Sequence, residues 1–337
     1  MLTSRSEDKG QIAVESVKDY LIGKGVDTSN VYNLSLDLDS LENVKQFADT
    51  YKALELGDIS VLVNNAGVMA IPEKELTIDG NERTFQSNHL GHFVLTAELF
   101  PYLSQEGAKV ITVSSSASNF AAPGLDIDNL NAEKSYGAWS SYGTSKLANI
   151  LFTKELQRKA DEAGLDWLTA LTLHPGVVNT DLWRYIVGEE KLAKIKEQDT
   201  VSLESLALSA TSLFTKTPEQ GASTQVFLAS NDDLVKGAFY DEMKEKTNLP
   251  AFAKDEAKAK ALWDVSEELA GIKFDLTQTA EIDIVDSTTE AEDEEATGNK
   301  AEEEDVSVED TSDEDTSAAE DVFIEDDTVK DDEEDEE

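Results

Sequence analysis

The sequence predicts an α/β fold built on a doubly wound parallel sheet, and three observations predict it. Short apolar stretches rich in branched residues alternate with longer amphipathic ones, the pattern of a parallel sheet covered by helices on both faces. Three of those stretches run into turns of small or polar residues: Val61-Leu62-Val63 into Asn64-Asn65-Ala66-Gly67, Val110-Ile111-Thr112-Val113 into Ser114-Ser115-Ser116, and Leu171-Thr172-Leu173 into His174-Pro175-Gly176. Open sheets bind ligands at such carboxyl ends of strands. Finally, 39% of the 337 residues are apolar, enough for a substantial core.

Taken in order, Met1 to Thr3 reads as the end of a strand, because Ser4, Arg5 and Ser6 lead directly into a helix; the chain is expected to start in mid-fold. Further strands are predicted at Val31 to Leu36, Ile59 to Val63, Lys109 to Val113, Trp167 to Leu173 and Ala238 to Tyr240. Helical patterns lie at Glu7 to Ile22, Leu41 to Leu54, Asn81 to Leu103, Tyr142 to Ala163, Ser202 to Phe214, Glu219 to Ala229 and Asp255 to Leu269. The longest loop runs from Ala117 to Ser140, and long loops beside strand ends usually carry function.

Charge divides the chain. From Leu276 to Glu337 there are 29 Asp or Glu against Lys300 and Lys330, a net charge of −27 out of −43 for the whole. Such a stretch cannot bury enough apolar surface to offset its chain entropy, so residues 1–275 are expected to fold and residues 276–337 to form a disordered acidic tail. The acidic excess argues against nucleic acid or an anionic membrane surface as partner and leaves small molecules or basic proteins. The chain has no cysteine, and its three histidines make a poor metal set, so no metal site is expected. With no apolar run of about 18 residues and no signal peptide, the chain as given reads as soluble, cytoplasmic by default.

The chemistry gathers at Tyr142-Gly143-Thr144-Ser145-Lys146, read as the opening of a helix that puts phenol and ammonium on one face. A phenol loses its proton near about pH 10, and a nearby cation lowers that value. The tyrosine can then exchange a proton with a substrate oxygen while hydride moves at carbon. The hydride must come from a cofactor, since no side chain supplies one.

These residues, with Asp79-Gly80-Asn81-Glu82, Asn88-His89-Leu90-Gly91-His92-Phe93, Leu147-Ala148-Asn149-Ile150 and His174-Pro175-Gly176, resemble the short-chain dehydrogenase/reductase family over about Leu2 to Ile272. The likeness is closest to the retinol-dehydrogenase-like branch, which includes the WW-domain oxidoreductases. It implies a Rossmann-like fold and an oxidoreductase acting on a lipophilic aldehyde, ketone or alcohol. It casts Tyr142 as acid/base and Lys146 as the group that lowers its pKa and holds the nicotinamide ribose. Ser115, the second of a Ser-Ser pair, would bind the substrate oxygen, and Asn88 would hold a proton-relay water. Asn64, Ala66 and Gly67 would lie along the adenosine ribose, Asp37 and Leu38 near the adenine, and Val177 and Thr180 near the nicotinamide amide. Arg5 sits where NADP-binding relatives carry a basic residue, so NADP(H) is favoured over NAD(H). The family's common dimers pack through the helix of Tyr142 and the one before it.

The family's opening strand and its glycine-rich turn, which cradles the pyrophosphate, are not found here; about thirty residues are expected to be missing, targeting or anchor segments of relatives lying ahead of them. The absent strand is central in the order 3-2-1-4-5-6, so the chain as written is expected to fold poorly and bind cofactor weakly. The competing expectation is an inactive oxidoreductase fold whose acidic tail binds a basic partner.

Overall fold

The computed structural model describes residues 1–178 and 216–277. The chain enters as β1 (Leu2–Ser4), α1 (Glu7–Ile22), β2 (Asn33–Ser35), α2 (Leu41–Ala53) and β3 (Val61–Asn64). Then follow a helical stretch containing α3 (Arg83–Phe85) and α4 (Gly91–Leu99), then β4 (Ala108–Val113), α5 (Ala138–Glu162) and β5 (Leu168–His174). After residue 215 come α6 (Pro218–Ser230), β6 (Phe239–Asp241), β7 (Lys244–Glu245) and α7 (Glu256–Ala270). The helix expected at Ser202 to Phe214 lies outside the described residues, as does the expected tail apart from Leu276 and Thr277. Leu276 itself is buried in the main core.

The helix starts follow from local chemistry. Ser6 accepts from the backbone N–H of Lys9 at the head of α1, where Glu7 and Asp8 face the positive end of the helix dipole. Thr217 and Gln220 form a reciprocal capping box on α6 with Pro218 in its first turn. Asp255 caps α7, which Gly271 ends in the left-handed conformation at φ 62°.

Among the described residues the sheet is in two pieces. β1 pairs parallel with β2, while the second piece has the order β3-β4-β5-β6-β7, parallel except for the edge strand β7. The division leaves Val63 on β3 39% exposed. Period-two alternation on β4 sends Val110 into the core under α4, α5 and α7, and Ile111 and Val113 into a second core on the opposite face with Leu171, Leu173 and Leu228. Helices therefore cover both faces. The larger core closes on Trp263 of α7, which stacks on Phe274 at 4.9 Å and meets Phe93 edge-on at 5.1 Å. No helix among the described residues is long and apolar enough to cross a membrane.

Two expectations are corrected. The helix expected from Asn81 to Leu103 is broken into α3 (Arg83–Phe85), a π-turn (Gln86–Leu90), α4 (Gly91–Leu99) and a 3₁₀ turn (Phe100–Tyr102). In the π-turn the Asn88 carbonyl accepts at 3.0 Å from Asn149 Nδ2 and lies 3.0 Å from His92 Nδ1, so partners from outside the helical ladder hold the bulge open. Tyr142 does not open its helix either: α5 begins a full turn earlier, at Ala138, after the extended Gly137. The predicted loop before it contains two 3₁₀ turns, Ser116–Ala121 and Ile127–Asn129.

Candidate active site

The carboxyl ends of β3 and β4, the π-turn and the second and third turns of α5 converge on one polar cluster. Tyr142 is 4% exposed, its ring packed on Met69, Ala70 and Ala117 and edge-on to Trp139 at 6.3 Å. Burial pushes its phenol above the ordinary value, opposed by hydrogen bonding with Ser115 and not, as expected from sequence, by the Lys146 ammonium. The next residue, Gly143, allows this closeness: a Cβ there would lie 2.7 Å from the Ala117 carbonyl oxygen and 2.9 Å from Phe120 Cβ. The 3₁₀ turn after β4 is thereby pressed onto α5.

The three adjacent serines part ways. Ser114 is buried and donates to the Lys146 carbonyl at 2.6 Å. Ser116 is exposed, its backbone N–H donating to His174 Nδ1 at 3.2 Å. Ser115, half-buried, accepts from the N–H of Ala117 at 3.1 Å and is the one beside the phenol.

Lys146 is buried, with Nζ donating to the Val113 carbonyl at 3.0 Å and lying 5.8 Å from the centre of the Tyr142 ring. Burial lowers its pKa from 10.5 to about 8. The Asn88 side chain clamps Val68, accepting from its N–H at 2.7 Å and donating to its carbonyl at 2.9 Å. Its amide also donates to Ser145 Oγ at 2.9 Å, so one side chain ties the Gly67 turn to the catalytic helix.

On the other side of Gly67, a cleft of about 190 Å³ gathers Arg5, Asp37, Leu38, Ala66 and Gly67, all predicted from sequence for the adenosine half of a cofactor. Asp37 Oδ1 accepts the Asp39 N–H at 3.0 Å. A Cβ on Gly67 would lie 2.8 Å from Asn88 Oδ1 and 3.5 Å from Lys146 Nζ, so a side chain there would displace the Asn88 amide that clamps Val68. These residues fit a nicotinamide dinucleotide at its adenosine half and beside Lys146; a glycine-rich pyrophosphate cradle is not among the described residues.

Asn64 is not brought to the cleft. Its side chain is buried, Nδ2 donating to Thr96 Oγ1 at 2.9 Å, because the alternation of β3 turns it inward. Val177, expected near the nicotinamide amide, is 46% exposed, and Thr180 lies outside the described residues. Sequence reasoning missed Asn149, whose Nδ2 donates at 3.0 Å to both the Asn88 and Val113 carbonyls, and Asp39, Arg83 and Ser87 beside Arg5. The signal for Asn149 was present: Tyr142, Lys146 and Asn149 recur at helical spacing on a face that is otherwise core.

His89 and His92 are buried beneath this layer, and burial holds them at about 3 and about 4. Both values lie below 6.5, so the unfolded chain binds protons that the folded chain excludes, and stability falls as pH drops from about 6.5 towards 4. Urea titrations are expected to show a midpoint that declines from neutral pH to about pH 5, with His92→Gln flattening the decline; a midpoint constant over that span would contradict the assignment.

Comparison with known proteins places this geometry. The family model described as short chain dehydrogenase matches residues 1–191. Human retinol dehydrogenase 14 is 38% identical over 240 residues, 70% of this chain and 66% of that protein's length. Human polyprenol dehydrogenase is 33% identical over 279 residues, 81% of this chain and 77% of its own. The crystal structure of an uncharacterised protein from Mycobacterium Paratuberculosis is 32% identical, with a TM-score of 0.58 over 81% of this chain and 84% of that one.

Proposed function

The chain belongs to the short-chain dehydrogenase/reductase family, in its retinol-dehydrogenase-like branch, and from that premise we propose that it moves a hydride between NADP(H) and a lipophilic carbonyl or alcohol. The observation that carries the reading is the meeting of the Tyr142 phenol, Ser115 and buried Lys146 at the ends of two strands. Arg5, Asp37, Leu38, Ala66 and Gly67 would hold the adenosine half of the cofactor, which would supply the hydride when bound.

In the reducing direction Ser115 Oγ donates a hydrogen bond to the substrate carbonyl oxygen, and Tyr142 Oη hands that oxygen its proton as the carbonyl carbon accepts hydride. The product is the alcohol, and Tyr142 is left as phenolate. Lys146, protonated at neutral pH, opposes that negative charge from within the site. Because burial keeps the phenol protonated, neutral pH favours reduction and alkaline pH the reverse reaction. The substrate's lipophilic character rests on retinol dehydrogenases 11–14 and polyprenol dehydrogenase standing among the relatives.

The test is carbonyl-dependent oxidation of NADPH, with retinaldehyde and long-chain aldehydes as substrates and NADH as comparison. Turnover with NADPH preferred by about tenfold or more in kcat/KM is expected, since a guanidinium matches a 2′-phosphate. A folded chain that oxidises neither cofactor in the presence of any of these carbonyls would overturn the reading.

A further inference from the structure

The geometry points to Asp39 and Arg83 as residues that set cofactor preference by controlling whether Arg5 can leave its carboxylate partner for a phosphate monoester. The inference rests on the NADP(H) reading of the cleft.

Asp39 stands between two arginines. Its Oδ2 accepts from Arg5 Nη1 at 3.1 Å and from Arg83 Nε at 3.0 Å, while Oδ1 accepts from the Ser87 hydroxyl. Asp39, Ser87 and Arg5 all line the cleft. The two arginines are held differently. The Arg5 side chain is 53% exposed, with Asp39 as its ion-pair partner. Arg83 is 21% exposed and braced at its far end, Nη1 lying 2.5 Å from Glu75 Oε2, with its backbone N–H donating to the Glu75 carbonyl at 3.0 Å.

A dianionic 2′-phosphate entering the cleft meets one cation, Arg5, and two carboxylates, Asp37 and Asp39. It can bind only if Arg5 turns from Asp39 to the phosphate and Asp39 does not repel it. Arg83 meets both conditions, because it stays on Asp39 Oδ2 when Arg5 departs and keeps that carboxylate neutralised. Without Arg83, Asp39 would either retain Arg5 or, if Arg5 turned away, face the phosphate with an uncompensated charge. A ribose 2′-hydroxyl makes no such demand, since it is uncharged and can donate to a carboxylate. Arg83 and Asp39 therefore act on the difference between phosphorylated and unphosphorylated ligands. They are positioning residues, acting through Arg5.

The test is calorimetric binding of 2′,5′-ADP and 5′-AMP to the chain as it stands and to four variants, read as the ratio of the two affinities. Arg83→Gln is expected to lower the ratio about tenfold with 5′-AMP binding little changed, and Asp39→Asn to raise it by a similar factor. Combining Arg83→Gln with Asp39→Asn is expected to restore the ratio, because Arg83 is needed only while Asp39 is charged. Ratios within about twofold of the parent in both single variants, or a double variant no better than Arg83→Gln, would overturn the inference. The Arg5→Gln variant separates this outcome from failure of the NADP(H) reading. If the parent prefers 2′,5′-ADP and Arg5→Gln abolishes the preference while the other variants do not alter it, the NADP(H) reading stands and this inference falls. If the parent shows no preference, or binds neither ligand while folded, both fall.

Discussion

Tyr142→Phe is expected to lower kcat by about two to four orders of magnitude while leaving the fold and adenosine-side binding intact, because it removes only the proton donor. The ring is what packs: it sits against Met69, Ala70 and Ala117, and phenylalanine fills the same space. In the proposed mechanism the hydroxyl serves the reaction, with Ser115 beside it. Urea midpoints within experimental error of the parent, unchanged 2′,5′-ADP binding and a collapsed kcat are the expected combination. A variant that retains turnover within about tenfold would place the proton transfer elsewhere.

Lys146→Met separates activity from stability in opposite directions. Holding the ammonium inside the fold moves its pKa from 10.5 to about 8, which corresponds to roughly 3 kcal/mol against the folded state at neutral pH. The sign follows from the protons bound: above about 8 the folded chain releases a proton that the unfolded chain keeps to 10.5, so this group makes stability climb with pH across that interval and adds no slope below it. Methionine has the stem length without the charge. The Val113 carbonyl it leaves behind still accepts from Asn149 Nδ2 at 3.0 Å, so no buried acceptor is orphaned. The variant is therefore expected to gain up to about 3 kcal/mol at pH 7, lose the alkaline rise, and lose at least about a hundredfold in kcat. Denaturant titrations at neutral and alkaline pH check it; a Met variant less stable than the parent at neutral pH would contradict the account of the buried charge.

What could be read from the sequence followed from local signals. The bounds of α1 were legible because a serine cap and two acids open it, and its apolar periodicity runs to Ile22. Strand ends marked by Gly67 and Ser115 were legible because small and polar residues interrupt branched runs, whereas the grouping of Arg5, Asp37, Leu38, Ala66 and Gly67 came from the family resemblance. Contacts between distant residues were not legible. The π-turn depends on Asn149 reaching a carbonyl 61 residues away, and Asp39 meets Arg83 across 44 residues. Helical spacing marks Asn149 as facing the core with Tyr142 and Lys146, but it does not name the distant carbonyl that Asn149 reaches. The resemblance laid Asn64 along the adenosine ribose, whereas alternation on β3 turns its side chain inward and leaves Asn65 exposed.

In the proposed reaction Tyr142 protonates the carbonyl oxygen as hydride reaches the carbonyl carbon. The most direct measurement is reduction of a lipophilic aldehyde with NADPH deuterated at the transferable position, followed by mass spectrometry of the alcohol. One deuterium on the carbinol carbon, absent from the Tyr142→Phe reaction, is the result expected. An unlabelled alcohol, or none, from a folded chain that binds 2′,5′-ADP would contradict it.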